Sequence, residues 1–120
     1  MLDRDNVNLD AIVKKIIKFR DERDWVQFHS PKNLAEAITI EASELLEIFL
    51  WKSTEESRTL DKVDIQHVKN ESADIFIFLA YLCHHYGFDL IDAVNEKIQK
   101  NSINYPVSKS KGSSKKYDQL

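Results

Sequence analysis

Glu71-Ser72-Ala73-Asp74-Ile75-Phe76-Ile77-Phe78-Leu79-Ala80-Tyr81-Leu82-Cys83 joins two carboxylates, one helical turn apart, to nine consecutive apolar residues. The run sits inside a segment from about Lys62 to Tyr86 that holds no glycine or proline and stops at Gly87. Glycine is the residue type favoured just past a helix end, so the spacing predicts one long helix ending there. For more than two turns that helix has no polar side. A helix that is apolar all round must be covered all round. Few short helices can wrap one of their own number, so a second copy of the chain is expected to supply the missing cover, as a dimer or tetramer.

Working outward, two glycines and two prolines in 120 residues leave little room for anything but helices and short connections. A first helix is expected from Asn8 to Trp25. Leu9, Ile12, Val13, Ile16 and Phe19 form its apolar stripe, with Lys14, Lys15 and Lys18 on the outer face. Phe28-His29-Ser30-Pro31 breaks it. Ser30 is a good N-cap and Pro31 suits the first helical position, so a second helix should run from there to about Lys52. Ser53 to Asp61 reads as a polar connection with room for a short helical turn. A last helix spans about Leu90 to Lys100, and Tyr105-Pro106 stops regular structure. The fold class is all-α: a four-helix bundle over residues 1–107, assembled as a homo-oligomer, with a basic, solvated tail over 108–120.

Charge narrows the function. The chain carries −3 overall, yet Lys109, Lys111, Lys115 and Lys116 against Asp118 make the tail +3 and leave −6 on the rest. An acidic body argues against a nucleic-acid polymer as partner, because such binding rests on lysine and arginine neutralising phosphates. It does not argue against a triphosphate that arrives with Mg²⁺. No stretch approaches the ~20 apolar residues of a membrane span, and Met1-Leu2-Asp3-Arg4-Asp5 lacks the apolar run of a secretory signal. One cysteine, Cys83, lies within the apolar run and reads as a small core residue. The expected address is the cytoplasm.

Two acidic pairs stand out by placement. Glu41 and Glu44 interrupt Ala37-Ile38-Thr39-Ile40 and Leu45-Leu46, and Glu71 and Asp74 border the apolar run. Spacing of i, i+3 puts each pair on one side of its helix. Carboxylates beside buried surface are unfavourable unless their charge is compensated. No lysine or arginine lies three or four residues from Glu41, Glu44 or Asp74. A divalent cation is the economical compensation. Mg²⁺, with Mn²⁺ as a substitute, takes oxygen ligands and is commonly completed by water and substrate phosphates. Histidine and cysteine are absent from both pairs, which disfavours zinc. A ferritin-like di-iron site would need Glu-x-x-His, and Asp64-Ile65-Gln66-His67 has the wrong acid.

Glu41-x-x-Glu44 followed by Glu71-x-x-Asp74 resembles the signature of the MazG-like all-α nucleoside triphosphate pyrophosphatases. Further stretches resemble the dCTP pyrophosphatase subgroup: Phe19-Arg20-Asp21-Glu22-Arg23-Asp24-Trp25, Gln27-Phe28-His29, Pro31-Lys32-Asn33-Leu34-Ala35 and Phe49-Leu50-Trp51-Lys52. Tyr105-Pro106-Val107 and the Lys111-Gly112-Ser113 to Lys116-Tyr117 tail extend the match. The resemblance implies Mg²⁺-dependent hydrolysis of a deoxynucleoside triphosphate, dCTP or a modified dCTP, to monophosphate and pyrophosphate, as nucleotide-pool house-cleaning. It implies that Glu41, Glu44, Glu71 and Asp74 are the metal ligands and the catalytic set, with Glu44 a candidate proton acceptor. It also implies that Trp25, His29, Trp51 and Phe78 surround base and sugar, that Lys97 meets phosphate and that Asn101 makes an amide contact.

From the residues alone, Trp25 and Trp51 read as core or interface residues as readily as pocket residues, His29 as a turn residue, Lys97 as a solvated lysine and Asn101 as a residue of the C-terminal helix. The sequence departs from the family pattern twice. Phe78 stands where tyrosine is usual, removing a hydroxyl from the base pocket, and arginines are missing between Asn101 and Tyr105-Pro106. The alternatives are therefore the same chemistry on dUTP, dATP or a broader set, or a helical oligomerisation module without catalysis.

Overall fold

A computed structural model describes residues 8–120. All regular structure among them is helical. In chain order the elements are α1 (Leu9–Glu22), a 3₁₀ turn (Val26–Phe28), α2 (Pro31–Ile48), α3 (Thr54–Ser57), α4 (Lys62–Tyr86), α5 (Leu90–Asn104), α6 (Val107–Ser110) and a second 3₁₀ turn (Tyr117–Gln119). They form two compact units, divided between Tyr86 and Gly87.

The first unit is built on α2 against α4, with α1 touching α4 less extensively. Asn8 caps α1 by accepting a hydrogen bond from the Ala11 backbone N–H at 2.8 Å, and Ser30 caps α2 through the Asn33 N–H at 3.2 Å. α3 is the short turn foreseen in the connection. A reciprocal capping box holds it, Ser53 accepting from the Glu56 N–H and Glu56 accepting from the Ser53 N–H. α4 has the expected bounds, and Gly87 follows it at φ +71, a left-handed conformation open to glycine without steric cost.

Two expected helix ends in this unit are corrected. α1 stops at Glu22 rather than Trp25, because Asp24 turns to φ +53 and Trp25 leads into the 3₁₀ turn. α2 stops at Ile48 rather than Lys52. Trp51 takes φ +69 as the chain reverses, and Lys52 is drawn to Asp64 near the start of α4 at 3.3 Å. On α1, Ile12, Val13 and Ile16 are half-buried and Lys14, Lys15 and Lys18 exposed, as expected, but the ends of the stripe, Leu9 and Phe19, are not covered. Phe19 is 46% exposed and Arg20 is buried to 7%, its guanidinium lying over the Tyr81 ring.

The enclosed core is small: Leu34, Ala80, Tyr81 and Cys83 with Arg20. Within the run Ile75–Cys83 the other six side chains are only half covered by the chain's own atoms. No described helix is long and apolar enough to cross a membrane.

In the second unit α5 starts on an Asp89 cap and continues to Asn104, past the expected end at Lys100. Nothing between those positions breaks a helix, and Pro106 restricts Tyr105 to non-helical angles. The tail is more ordered than a solvated run. α6 and the second 3₁₀ turn form within it, and Tyr117 meets Tyr105 edge-on at 6.0 Å between ring centroids.

Leu34 is 1% exposed. Leu34→Ala should cost about 2–4 kcal/mol, the range for emptying a well-packed leucine site, read from the denaturant midpoint at unchanged m-value.

Candidate functional site

Packing of α2 on α4 brings the acidic residues of the two helices together. One carboxylate oxygen from each of Glu41, Glu44 and Glu71 lies within 4.8 Å of the others. Glu41 and Glu71 are half-buried and Glu44 is exposed. Asp74, one turn beyond Glu71, is outside that closest set, yet its charge still acts on Glu41.

Oε2 of Glu41 and Oε2 of Glu71 are each enclosed without a hydrogen-bond partner. Two deprotonated carboxylates cannot bond to one another, so the pair must share a proton or take up a cation. The shared proton is the main reason the Glu41 carboxyl is pushed up to about 7; desolvation and the charges of Glu44 and Asp74 add to it. Glu44 is also raised, chiefly through Glu71. Among the described residues no ion pair involves Glu41, Glu44, Glu71 or Asp74. Lys52 is near but committed to Asp64. Oxygen-only donors, unfilled acceptor capacity and excess negative charge fit a hard divalent cation.

Beside the carboxylates an open cleft of about 500 Å³ is lined by Glu44, Glu47, Lys52, Asp64, His67 and Glu71. The sequence reading did not place Glu47, Lys52 or His67 here. Glu47 was within reach of it, as the next i+3 step after Glu41 and Glu44. The pairing of Lys52 with Asp64 depends on a chain reversal that no local pattern encodes.

A second cluster is aromatic. Ring centroids of His29 lie 6.4 Å from Trp25, 6.3 Å from Phe78 and 5.0 Å from Tyr81, and Phe19 meets Trp25 at 5.8 Å. Three of the expected base-pocket residues, Trp25, His29 and Phe78, are thus neighbours. Tyr81 and Arg20 join them without having been anticipated. Trp51 stands 92% exposed at φ +69, a backbone region that costs a bulky side chain energy. Lys97 and Asn101 lie one turn apart on α5 in the second unit, both exposed.

Residues 37–120, which include α2 from Ala37 and all of α4 and α5, match the MazG-like family model. The chain belongs to the MazG-like family. It is 38% identical to dCTP pyrophosphatase 1 of Mus musculus over 114 residues, covering 93% of this chain and 67% of that one. Against dCTP pyrophosphatase 1 of Homo sapiens the identity is 35% with the same coverage of this chain. A crystal structure of a pyrophosphatase from Archaeoglobus fulgidus superimposes with a TM-score of 0.78 at 36% identity, covering 88% of this chain and 99% of that one. Within the MazG-like family the chain falls in the dCTP pyrophosphatase subgroup, and it is a nucleoside triphosphate pyrophosphohydrolase. The MazG-like match takes in the acidic residues of both helices, whereas Trp25 and His29 precede it.

The raised Glu41 carboxyl sets a pH dependence. Its proton favours the folded state, so this contribution is full below about 4.5 and is lost as pH climbs through about 7. In chelator-treated protein, the Tm of wild type relative to Glu41→Gln should fall across that window. Mg²⁺ should bind more weakly below about pH 7 than above it, because protons compete for the same oxygens. Parallel Tm profiles for the two proteins would contradict the assignment.

Proposed function

We propose that the protein hydrolyses deoxynucleoside triphosphates, with dCTP or a modified dCTP preferred, to the monophosphate and pyrophosphate in a Mg²⁺-dependent reaction in the cytoplasm. The observation that carries this reading is the convergence of Glu41, Glu44 and Glu71, with two enclosed oxygens unpartnered, in a member of the MazG-like family. Glu41, Glu44, Glu71 and Asp74 would hold the cation. When bound, it neutralises charge on the leaving pyrophosphate and lowers the pKa of water.

The chain's own groups account for the rest. Water attacks the α-phosphorus, the bond to the bridging oxygen breaks, and its electron pair leaves with pyrophosphate. Glu44, the exposed carboxylate of the set, takes the proton of the attacking water. Trp25, His29 and Phe78 form an aromatic wall for the base, with Trp51 as a further stacking surface. Lys97 meets phosphate and Asn101 gives an amide contact. Phe78 lacks a hydroxyl in this wall, an observation that favours a second reading in which dUTP or dATP is also taken.

The half-covered side chains of α4 support self-association as a dimer or tetramer, with a second copy completing their burial.

Purified protein incubated with each deoxynucleoside triphosphate and Mg²⁺ should release pyrophosphate and monophosphate, with the highest kcat/KM for dCTP or a 5-substituted dCTP. Inorganic phosphate as the first product, or no turnover of any nucleotide, would sink the proposal. Glu41→Gln and Glu71→Gln should each abolish turnover and the Tm rise on Mg²⁺ addition while leaving the oligomer intact. Trp51→Ala should raise KM by about tenfold, the scale of one lost base-stacking contact, with Tm unchanged because the side chain is 92% exposed.

A further inference from the structure

The Arg20 side chain is only 9% exposed, an unusual place for a cation. Its Nε and Nη2 both donate to the Asp21 carboxylate, at 3.0 and 2.9 Å, and its Cζ lies 5.4 Å from the Tyr81 ring centroid. Tyr81 is 2% exposed and is fixed at its far end, where the hydroxyl donates to the Ile16 carbonyl at 3.2 Å. The same ring carries His29, with centroids 5.0 Å apart and planes tilted by 31°. Arg20, Tyr81 and His29 are therefore linked by contact from α1 through α4 to the segment before α2. All three also line a cavity of about 460 Å³ whose walls do not include Trp25 or Phe78.

We propose that Arg20 and Tyr81 are positioning residues that fix the His29 ring in its aromatic wall beside Trp25 and Phe78, and so set how tightly that wall takes the nucleobase. This rests on the reading of His29 as a base contact given above. Nδ1 of His29 is enclosed without a partner, so a hydrogen bond from the ring to a ligand would fall to Nε2. An imidazolium would need a second acceptor at the enclosed Nδ1, and none is there, so geometry alone disfavours the charged form. The surroundings act in the same sense. Desolvation and the Arg20 guanidinium hold His29 below the ordinary histidine range.

The titratable and charged groups around His29 are Arg20 with its partner Asp21 on α1, Arg23 just beyond α1 over the Trp25 ring, and Tyr81, His84 and His85 on α4. Ser30 and Pro31, at the start of α2, add no charge. A neutral, immobile imidazole keeps one hydrogen-bonding role at Nε2 across the physiological range, which suits discrimination between base edges.

The test follows His29 by NMR titration of its ring in nucleotide-free, full-length protein, alongside KM and kcat for dCTP and dUTP between pH 5.5 and 8. Arg20→Met should move the His29 titration up towards the ordinary range and make KM for dCTP rise as pH falls, whereas Arg20→Lys should leave His29 low. Tyr81→Leu should raise KM by roughly three- to tenfold, the range of a lost aromatic contact, with kcat within about twofold and a narrowed preference between the two nucleotides. Tyr81→Phe keeps the ring, so its KM should stay near wild type.

An unchanged His29 titration and unchanged KM in folded Arg20→Met would overturn the proposal. So would parallel losses of kcat and Tm without a KM effect, which mark a structural role only. If Tyr81→Leu does not fold, the Arg20→Met and Arg20→Lys pair decides. If wild type turns over no nucleotide, the functional reading falls by itself. The titration then decides the positioning role, upheld by a shift in Arg20→Met and overturned by none.

Discussion

Glu41 and Glu71 face each other across the α2–α4 packing, and the rest of the site is organised around that contact. Apolar burial drives the two helices together, and neighbouring carboxylates resist by repulsion and desolvation. A shared proton relieves the conflict locally and pushes the Glu41 carboxyl up to about 7. The same conflict leaves both enclosed oxygens with unfilled acceptor capacity, the kind of demand that a hard divalent ion meets.

The two chemical regions of the first unit are arranged along α4. Glu71 and Asp74 sit in its middle, and Phe78 and Tyr81 follow at successive turns. A rigid helix thereby spaces the acidic cluster from the aromatic wall, while loops deliver what the helix cannot. His29 comes from the segment between the first 3₁₀ turn and α2, and Trp51 from the left-handed turn after α2. Trp51 is 92% exposed at φ +69, so its own packing does little to offset the cost of that backbone angle.

Arg20 shows how a buried charge is compensated and what it then acts on. Its buried guanidinium is tolerated because Asp21 and the Tyr81 ring compensate it, and in doing so it bears on His29. Such an arrangement defeats pattern reading. The apolar stripe on α1 pointed to Phe19 as the inward residue, whereas Phe19 instead packs with Trp25 and under the Arg23 guanidinium at 3.6 Å. Which of two adjacent residues turns inward in the last turn of a helix is invisible to periodicity when one of them is a long amphipathic side chain.

The sequence by itself determined the helical class, the bounds of α4, the starts of α1 and α2, and the two acidic pairs with their likeness to the MazG-like family. Those features are local: caps, breakers and i, i+3 spacing act within one or two turns. Only the tertiary structure decided that Glu41, Glu44 and Glu71 form the tight set while Asp74 stands one turn away, and that His67 and Lys52 line the neighbouring cleft. It alone joined Arg20 to Tyr81 and His29. These depend on the relative rotation of packed helices and on chain reversals at Asp24 and Trp51, where the backbone adopts angles that residue preference does not announce.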